Sequence, residues 1–228
     1  MRAVTYNVRG FRDGRGRVAA VVRELAPDVL LLQESGSRRD LRRFAEDVGM
    51  RVARDPWSPL RRRVKNAVLL ADGWRFFSIE LKRFPKSRRW YPRGALIARG
   101  AFGANMIWAF SVHFGLEGAE RADQAASLAD MVAMVDDGLV IVGADLNATP
   151  DMWATARITA ALRDAWSQGG EGPGSTFPAL APSARIDYLF VGNGAAIVRA
   201  SVGAEGAPEA SDHLPVAVEL RLENGQTE

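Results

Sequence analysis

Two periodicities alternate along the chain. Apolar residues at every second position mark strands facing a core, and recurrence at i, i+3, i+4 and i+7 marks one face of a helix. "AVTYNV" (3–8) is strand-like. In "RVAAVVREL" (17–25), Val18, Val21, Val22 and Leu25 share a helical face, and Pro27 ends the run. "DVLLLQE" (28–34) is short and continuously apolar, as a fully buried strand is. A second helix carries Leu41, Phe44, Ala45 and Val48 on one face, with Gly49 closing it.

"NAVLLA" (66–71), "WRFFSIELK" (74–82), "GALIAR" (94–99) and "NMIWAFSVHF" (105–114) predict a run of strands, expected as a meander. Residues 117–136 predict a long helix with Leu128, Met131, Val132 and Val135 facing inward, and "LVIVGADLN" (139–147) a buried strand running into a polar loop. A helix around 151–164, a Gly/Pro-rich loop (168–182) and strands near 186–191, 196–203 and 215–222 complete the reading. These are two β-rich blocks, each with helices, joined without linker or repeat. The architecture they predict is a pair of stacked sheets covered by helices, as one domain over 1–222 with a polar tail at 223–228. The irregular stretch 167–184 is expected as a surface loop beside a site.

Apolar residues at 47% and charged residues at 25% are ordinary for a globular chain. The absence of cysteine excludes disulfides and thiolate metal sites, so any metal is held by oxygen or imidazole. Neither an apolar leader nor a run approaching the ~20 residues needed to span a bilayer is present, and a cytoplasmic location is expected. The net charge of +3 conceals an asymmetry: residues 1–100 hold 24 Lys and Arg against 10 Asp and Glu. The excess falls in "RRDLRR" (38–43), "RRRVK" (61–65) and "KRFPKSRRWYPR" (82–93), the last interleaving cations with Phe84, Trp90 and Tyr91. Cations alternating with aromatics suit a phosphate backbone and its bases, and so much positive charge in one half favours a polyanionic partner or an anionic surface.

Polar residues gather where the apolar strands stop. Asn7 interrupts the first strand, Gln33-Glu34 ends the second, and His113 ends "WAFSVH". Asp145 and Asn147 follow "LVIVGA", Asp187 opens "IDYLFV", and Asp212-His213 precede the last strand. Ser211 and Asp212 also fit turn formers ahead of Pro215. Both histidines of the chain nevertheless fall at such ends. Glu34, Asp145 and Asp212, with the carboxamides of Asn7 and Asn147, make an oxygen-rich set suited to Mg²⁺ or Mn²⁺, as one or two ions. The imidazoles can serve as acid, base or phosphate ligand. The chemistry this set supports is metal-assisted phosphoester hydrolysis.

"TYNVRG", "LLQES", "SVHFGL", "GADLN", "RIDYLF" and "SDHLP", in order over 5–216, resemble the endonuclease/exonuclease/phosphatase superfamily. That superfamily includes pancreatic-type DNase, apurinic endonucleases, sphingomyelinases and inositol-polyphosphate 5-phosphatases. The resemblance implies an α/β, DNase I-like four-layer sandwich of two mixed sheets flanked by helices. It makes Asn7, Glu34 and Asp212 metal ligands or near neighbours of the metal. Asp145 would orient or deprotonate the attacking water, and Asn147 would hold the scissile phosphate. Asp187 would pair with His213, which acts on the phosphate as base or hydrogen-bond donor. His113 matches the branches like pancreatic DNase and the sphingomyelinases, as acid or phosphate ligand. Asn66, Arg93 and Phe177 match substrate-side elements. Two positions depart from the family pattern: Ala144 stands where glycine usually precedes the aspartate, and Lys65 where glycine is common. Nuclease action on DNA or RNA is the expected function. The alternative is action on a phospholipid headgroup or small phosphoester, with Trp57, Trp90 and Tyr91 as aromatic membrane contacts. No protein partner is indicated.

Overall fold

A computed structural model describes residues 1–53, 62–85 and 90–223. Trp57, Arg61, Lys86, Arg88 and Arg89, all named above, lie outside the described residues, as do 224–228 of the polar tail. In chain order the elements are β1 (Arg2–Asn7), α1 (Arg15–Leu25), β2 (Val29–Gln33), α2 (Arg38–Val48), β3 (Arg51–Ala53), β4 (Ala67–Leu70), β5 (Trp74–Arg83), β6 (Gly94–Phe102) and β7 (Asn105–His113). The second half adds α3 (Gly118–Ala133), β8 (Leu139–Asp145), α4 (Trp153–Thr159), β9 (Arg163–Asp164), α5 (Ala165–Gly169), β10 (Asp187–Val191), β11 (Ala195–Val202), α6 (Ala207–Ala210) and β12 (Val216–Leu222).

The strands form two six-stranded sheets, ordered β11-β12-β1-β2-β4-β3 and β5-β6-β7-β8-β10-β9. Each is mixed: β1 pairs β2 in parallel across α1, and β7 pairs β8 in parallel across α3. Parallel neighbours need a long crossover, and the two helices supply it. With helices outside each sheet, the result is the expected four layers. The expected meander is confined to β5, β6 and β7. β4 instead pairs with β2 and β3 in the facing sheet, because its four buried residues continue that sheet. The helix expected over 151–164 ends at Thr159, since Arg163 and Asp164 pair with β10 and Asp164 then caps α5 through Trp166 N–H. Local pattern left β3 and α6 unassigned; at three and four residues they are too short to show a period.

Strand alternation divides the core. Ala3, Val29, Leu31, Ile107, Ala109, Leu139, Ile141, Leu189 and Val191 fill the space between the sheets. Their neighbours turn outward. Val4, Tyr6, Leu30 and Leu32 meet α1 and α2, while Phe110, Val112, Val140, Val142 and Phe190 meet α3 and α4. Following the inward set along each strand, the stratum between the sheets becomes polar at one end. Thr5, Gln33, Ser111 and Gly143 come next, all buried. The Gln33 amide donates to Gly143 O at 3.1 Å, and Ser111 Oγ donates to Leu32 O at 2.6 Å, so both bonds cross between the sheets. A Cβ on Gly143 would lie 2.6 Å from Leu31 Cβ and 2.8 Å from Thr5 Oγ1, so only glycine permits this approach. Ala144 points the other way, buried against the helices. Its departure from the family pattern is therefore absorbed by the outer core.

Candidate active site

One step beyond the polar layer, the same alternation presents charged groups. His113 pairs with Asp145 across β7 and β8, and Asp145 pairs with Asp187 across β8 and β10. Three strand ends thus set His113, Asp145 and Asp187 in one row. The facing sheet adds Asn7 at the end of β1 and His213 just before β12. All five are buried.

Asp145 joins the row to the opposite sheet. Its Oδ2 accepts from Asn7 Nδ2 at 2.8 Å and lies 3.2 Å from His113 Nε2 and 4.0 Å from His213 Nε2. Its Oδ1 accepts from the Asn147 N–H at 3.1 Å. Asn147 has a positive φ of 48°, which asparagine tolerates better than most residues, and its amide donates to Phe114 O at 3.1 Å. On the other side, His213 Nδ1 lies 2.8 Å from Asp187 Oδ2. The second Asp187 oxygen is buried with no hydrogen-bond partner among the described residues.

The two histidines are driven to different protonation states. Burial would neutralise His213, but the Asp187 carboxylate, with Asp145 and Asp212 nearby, outweighs it and raises the pKa to about 10. His113 is lowered to about 3, because burial, Arg93 and His213 together outweigh the attraction of Asp145. Arg93 Nη1 approaches His113 Nδ1 at 2.7 Å. The same Nη1 lies 2.9 Å from His113 Nε2, so it contacts both ring nitrogens; a guanidinium can only donate, and the neutral ring has a single acceptor nitrogen to offer it. Burial also lowers the pKa of Arg93, opposed by Asp145, Glu34 and Glu120.

Asp145, Asp187 and His213 offer ligand atoms within 4.8 Å of one another. A protonated imidazole has no lone pair for a cation, so the trio could hold a metal only with His213 deprotonated; protonated, it is an imidazolium between two carboxylates. Glu34 is different. It is half-buried, has a φ of 50°, and its carboxylate accepts no hydrogen bond among the described residues, while its carbonyl is fixed by the N–H groups of Gly10 and Gly36. Asp212 is held by Arg9 at 3.2 Å, and the Arg9 N–H donates to Asn7 Oδ1 at 3.0 Å. An oxygen-donor set with one uncommitted carboxylate fits a hard divalent ion.

The substrate-side expectations divide. Arg93 reaches the row through His113, and Phe177 rests on His213 with ring centroids 4.9 Å apart. Asn66 donates to Gly94 O and Ser111 O, both at 2.8 Å, so its amide hydrogens brace the two sheets. Only its carbonyl remains for a ligand. Sequence reasoning missed two braces. Thr176 Oγ1 accepts from the N–H of Asp187 at 3.3 Å, and Ser211 Oγ donates to Asn7 O at 2.7 Å. Ser211 lies inside the quoted SDHLP and Thr176 in the irregular stretch 167–184, where a hydroxyl reads equally well as a turn former.

Beside the row lies a cavity of about 600 Å³, lined by Glu34, Asn66, Arg93 and His113 together with Arg12, Arg62, Arg63, Lys65, Trp90 and Tyr91. A separate cleft of about 550 Å³ around Thr159, Arg163 and Arg185 includes none of the site residues.

A model of the Endonuclease/Exonuclease/phosphatase family matches residues 4–213. The chain belongs to the endonuclease/exonuclease/phosphatase family. Members of this family are hydrolytic phosphoesterases that depend on divalent metal. The protein YbhP of Escherichia coli K12 is 31% identical over 121 residues, which cover 51% of this chain and 47% of that protein. The chain thus spans about half the length of the curated relatives it matches. Among solved structures, the mannosyl-6-phosphatase of Bacteroides thetaiotaomicron superposes with a TM-score of 0.81 at 17% identity, covering 97% of this chain and 100% of that one. TDP2 of D. rerio, complexed with a single strand DNA product, superposes at 0.79 and 17% identity over 97% and 98% of the two chains. At such identity the likeness is one of fold: the two mixed sheets and flanking helices are those of DNase I-like proteins. Among the described residues no helix is long and apolar enough to cross a membrane.

Proposed function

We propose that this family member is a divalent-metal-dependent nuclease that hydrolyses phosphodiester bonds in DNA or RNA. The observation that carries this reading is the cation surplus at the cavity, where Arg12, Arg62, Arg63, Lys65 and Arg93 face one carboxylate, Glu34. A single phosphoester does not need so many cations, whereas the successive phosphates of a polymer do. A small phosphomonoester is the second reading, favoured by the ligand-sized volume of about 600 Å³.

In the nuclease reading Asp145 orients the attacking water and takes its proton, its carboxylate aimed by Asn7 and His113. His213, held protonated by Asp187, presents Nε2–H to the phosphate and stabilises the charge that grows there. Asn147 and Arg93 bind phosphate oxygens. Neutral His113 acts as a spacer that accepts from Arg93 and donates to Asp145. Glu34, with Asn7 and Asp212, would hold the divalent ion, whose contribution is Lewis-acid stabilisation of the leaving oxygen.

The test is hydrolysis of plasmid, linear and single-stranded DNA, RNA, sphingomyelin, phosphoinositides and sugar phosphates with Mg²⁺, Mn²⁺ or EDTA. Metal-dependent cleavage of nucleic acid, lost in His213→Ala, is the expected result. Turnover of sugar phosphates or lipids with nucleic acid untouched would replace the nuclease reading with the second one.

A further inference from the structure

Trp90 and Tyr91 are adjacent aromatics, 63% and 70% exposed, on the cavity that adjoins the active site. Neither is core, and single exposed aromatics need no explanation, but two beside a cation-lined cavity do. The Arg62 guanidinium lies 4.2 Å from the centroid of the Trp90 ring, within cation–π distance. This contact makes a layered platform of one aromatic and one delocalised planar cation. Arg12 and Lys65, both exposed, line the same cavity and form no ion pair among the described residues. The cavity therefore offers flat surfaces for stacking and uncommitted point charges, with Arg93 and His113 connecting it to Asp145.

We propose that this cavity is a subsite for an unpaired nucleobase stacked on the Trp90–Arg62 pair, which makes single-stranded nucleic acid the substrate form. The proposal rests on the nuclease reading and narrows it. Aromatic rings and arginine planes are general stacking partners for bases, because every base has a π-face. A base inside a duplex has both faces covered by its neighbours and cannot offer one to Trp90 without being extruded. Lys65 and Arg12 then meet the phosphates that flank the stacked nucleotide, while Arg93 meets the scissile one. A sugar phosphate would use Arg93 but leave Lys65 and Arg12 without a counter-charge.

The experiment is fluorescence anisotropy with a short fluorescein-labelled oligothymidylate, titrated with the full chain, Trp90→Ala and Trp90→Phe in EDTA. The far-ultraviolet dichroism of each variant confirms that it is folded, and Val198→Ala, on the exposed face of β11, is the control. Affinity is expected to fall about tenfold or more in Trp90→Ala and to return largely in Trp90→Phe. The parent is expected to bind the single strand more tightly than a duplex of the same length. Equal affinities for parent and Trp90→Ala would overturn the subsite, as would a duplex bound as tightly as the single strand. The two readings fail separately. An oligonucleotide held through Trp90 yet uncleaved with every metal would keep the subsite and remove the nuclease. Cleavage of duplex and single strand alike, indifferent to Trp90→Ala, would do the reverse.

Discussion

His213 Nδ1 lies 2.8 Å from Asp187 Oδ2, and the two residues arrive from different sheets, His213 just before β12 and Asp187 at the start of β10. The bond ties the sheets together at the same rim where Asn7 donates to Asp145. Stability, protonation and chemistry are therefore coupled at this edge.

The clearest consequence is a split titration. His213, raised to about 10, binds a proton more tightly folded than unfolded, so its contribution is complete below the ordinary histidine pKa and is lost as pH rises through about 10. His113, lowered to about 3, has the opposite sign. Its folded state resists protonation, so stability falls as pH drops from the ordinary value of 6.5 toward about 3. Imidazole resonances followed by NMR are expected to show one ring charged and one neutral at pH 7. Two rings titrating together near the ordinary value would contradict the assignment.

Asp187→Asn keeps the shape of the pair and removes its charge. The pKa of His213 is expected to fall, and kcat to drop by roughly 10²–10⁴-fold, the usual worth of a positioned acid or base. Substrate affinity measured separately should change little. A loss confined to affinity would mean that the pair only shapes the pocket.

Gly143 and Ala144 provide a paired stability test. Gly143→Ala would drive a methyl group against Leu31 and Thr5 between the sheets, an overpacking expected to cost about 1–3 kcal/mol. Ala144→Gly removes a buried methyl from the outer core and should cost about 1 kcal/mol. Urea melts of both would reveal whether the sheets can separate. A neutral Gly143→Ala would show that they can.

Glu34 carries the metal prediction. Because its carboxylate is half-buried and makes no hydrogen bond among the described residues, Glu34→Gln should leave the melting temperature of the metal-free protein nearly unchanged. It should raise the Mg²⁺ or Mn²⁺ concentration needed for half-maximal activity, and reduce the thermal stabilisation each ion gives. Calorimetric titration checks the same point without turnover. Unaltered metal affinity in Glu34→Gln would move the ion elsewhere.

Lys65 tests the electrostatics. Exposed and without an ion pair among the described residues, it should act as one phosphate contact, so Lys65→Ala is expected to lower the slope of log K against log[salt] by about one for nucleic acid. A slope unchanged from the parent would take Lys65 off the path of the phosphates.

Much of this site was legible in the chain. The alternation in "AVTYNV", "WAFSVH" and "LVIVGAD" determines that Asn7, His113 and Asp145 face the same side as the apolar core residues before them, because successive side chains in a strand point to opposite faces. That periodicity is local, and local geometry survives any fold that uses these strands. Four facts needed the tertiary structure: the register that aligns His113, Asp145 and Asp187; the placement of β4 in the facing sheet; the commitment of the Asn66 amide to two backbone carbonyls; and the different protonation states of two histidines in one cluster. Each depends on residues far apart in the chain and on burial. No window of sequence contains the partner that completes a hydrogen bond across two sheets, or the desolvation that decides where a proton resides.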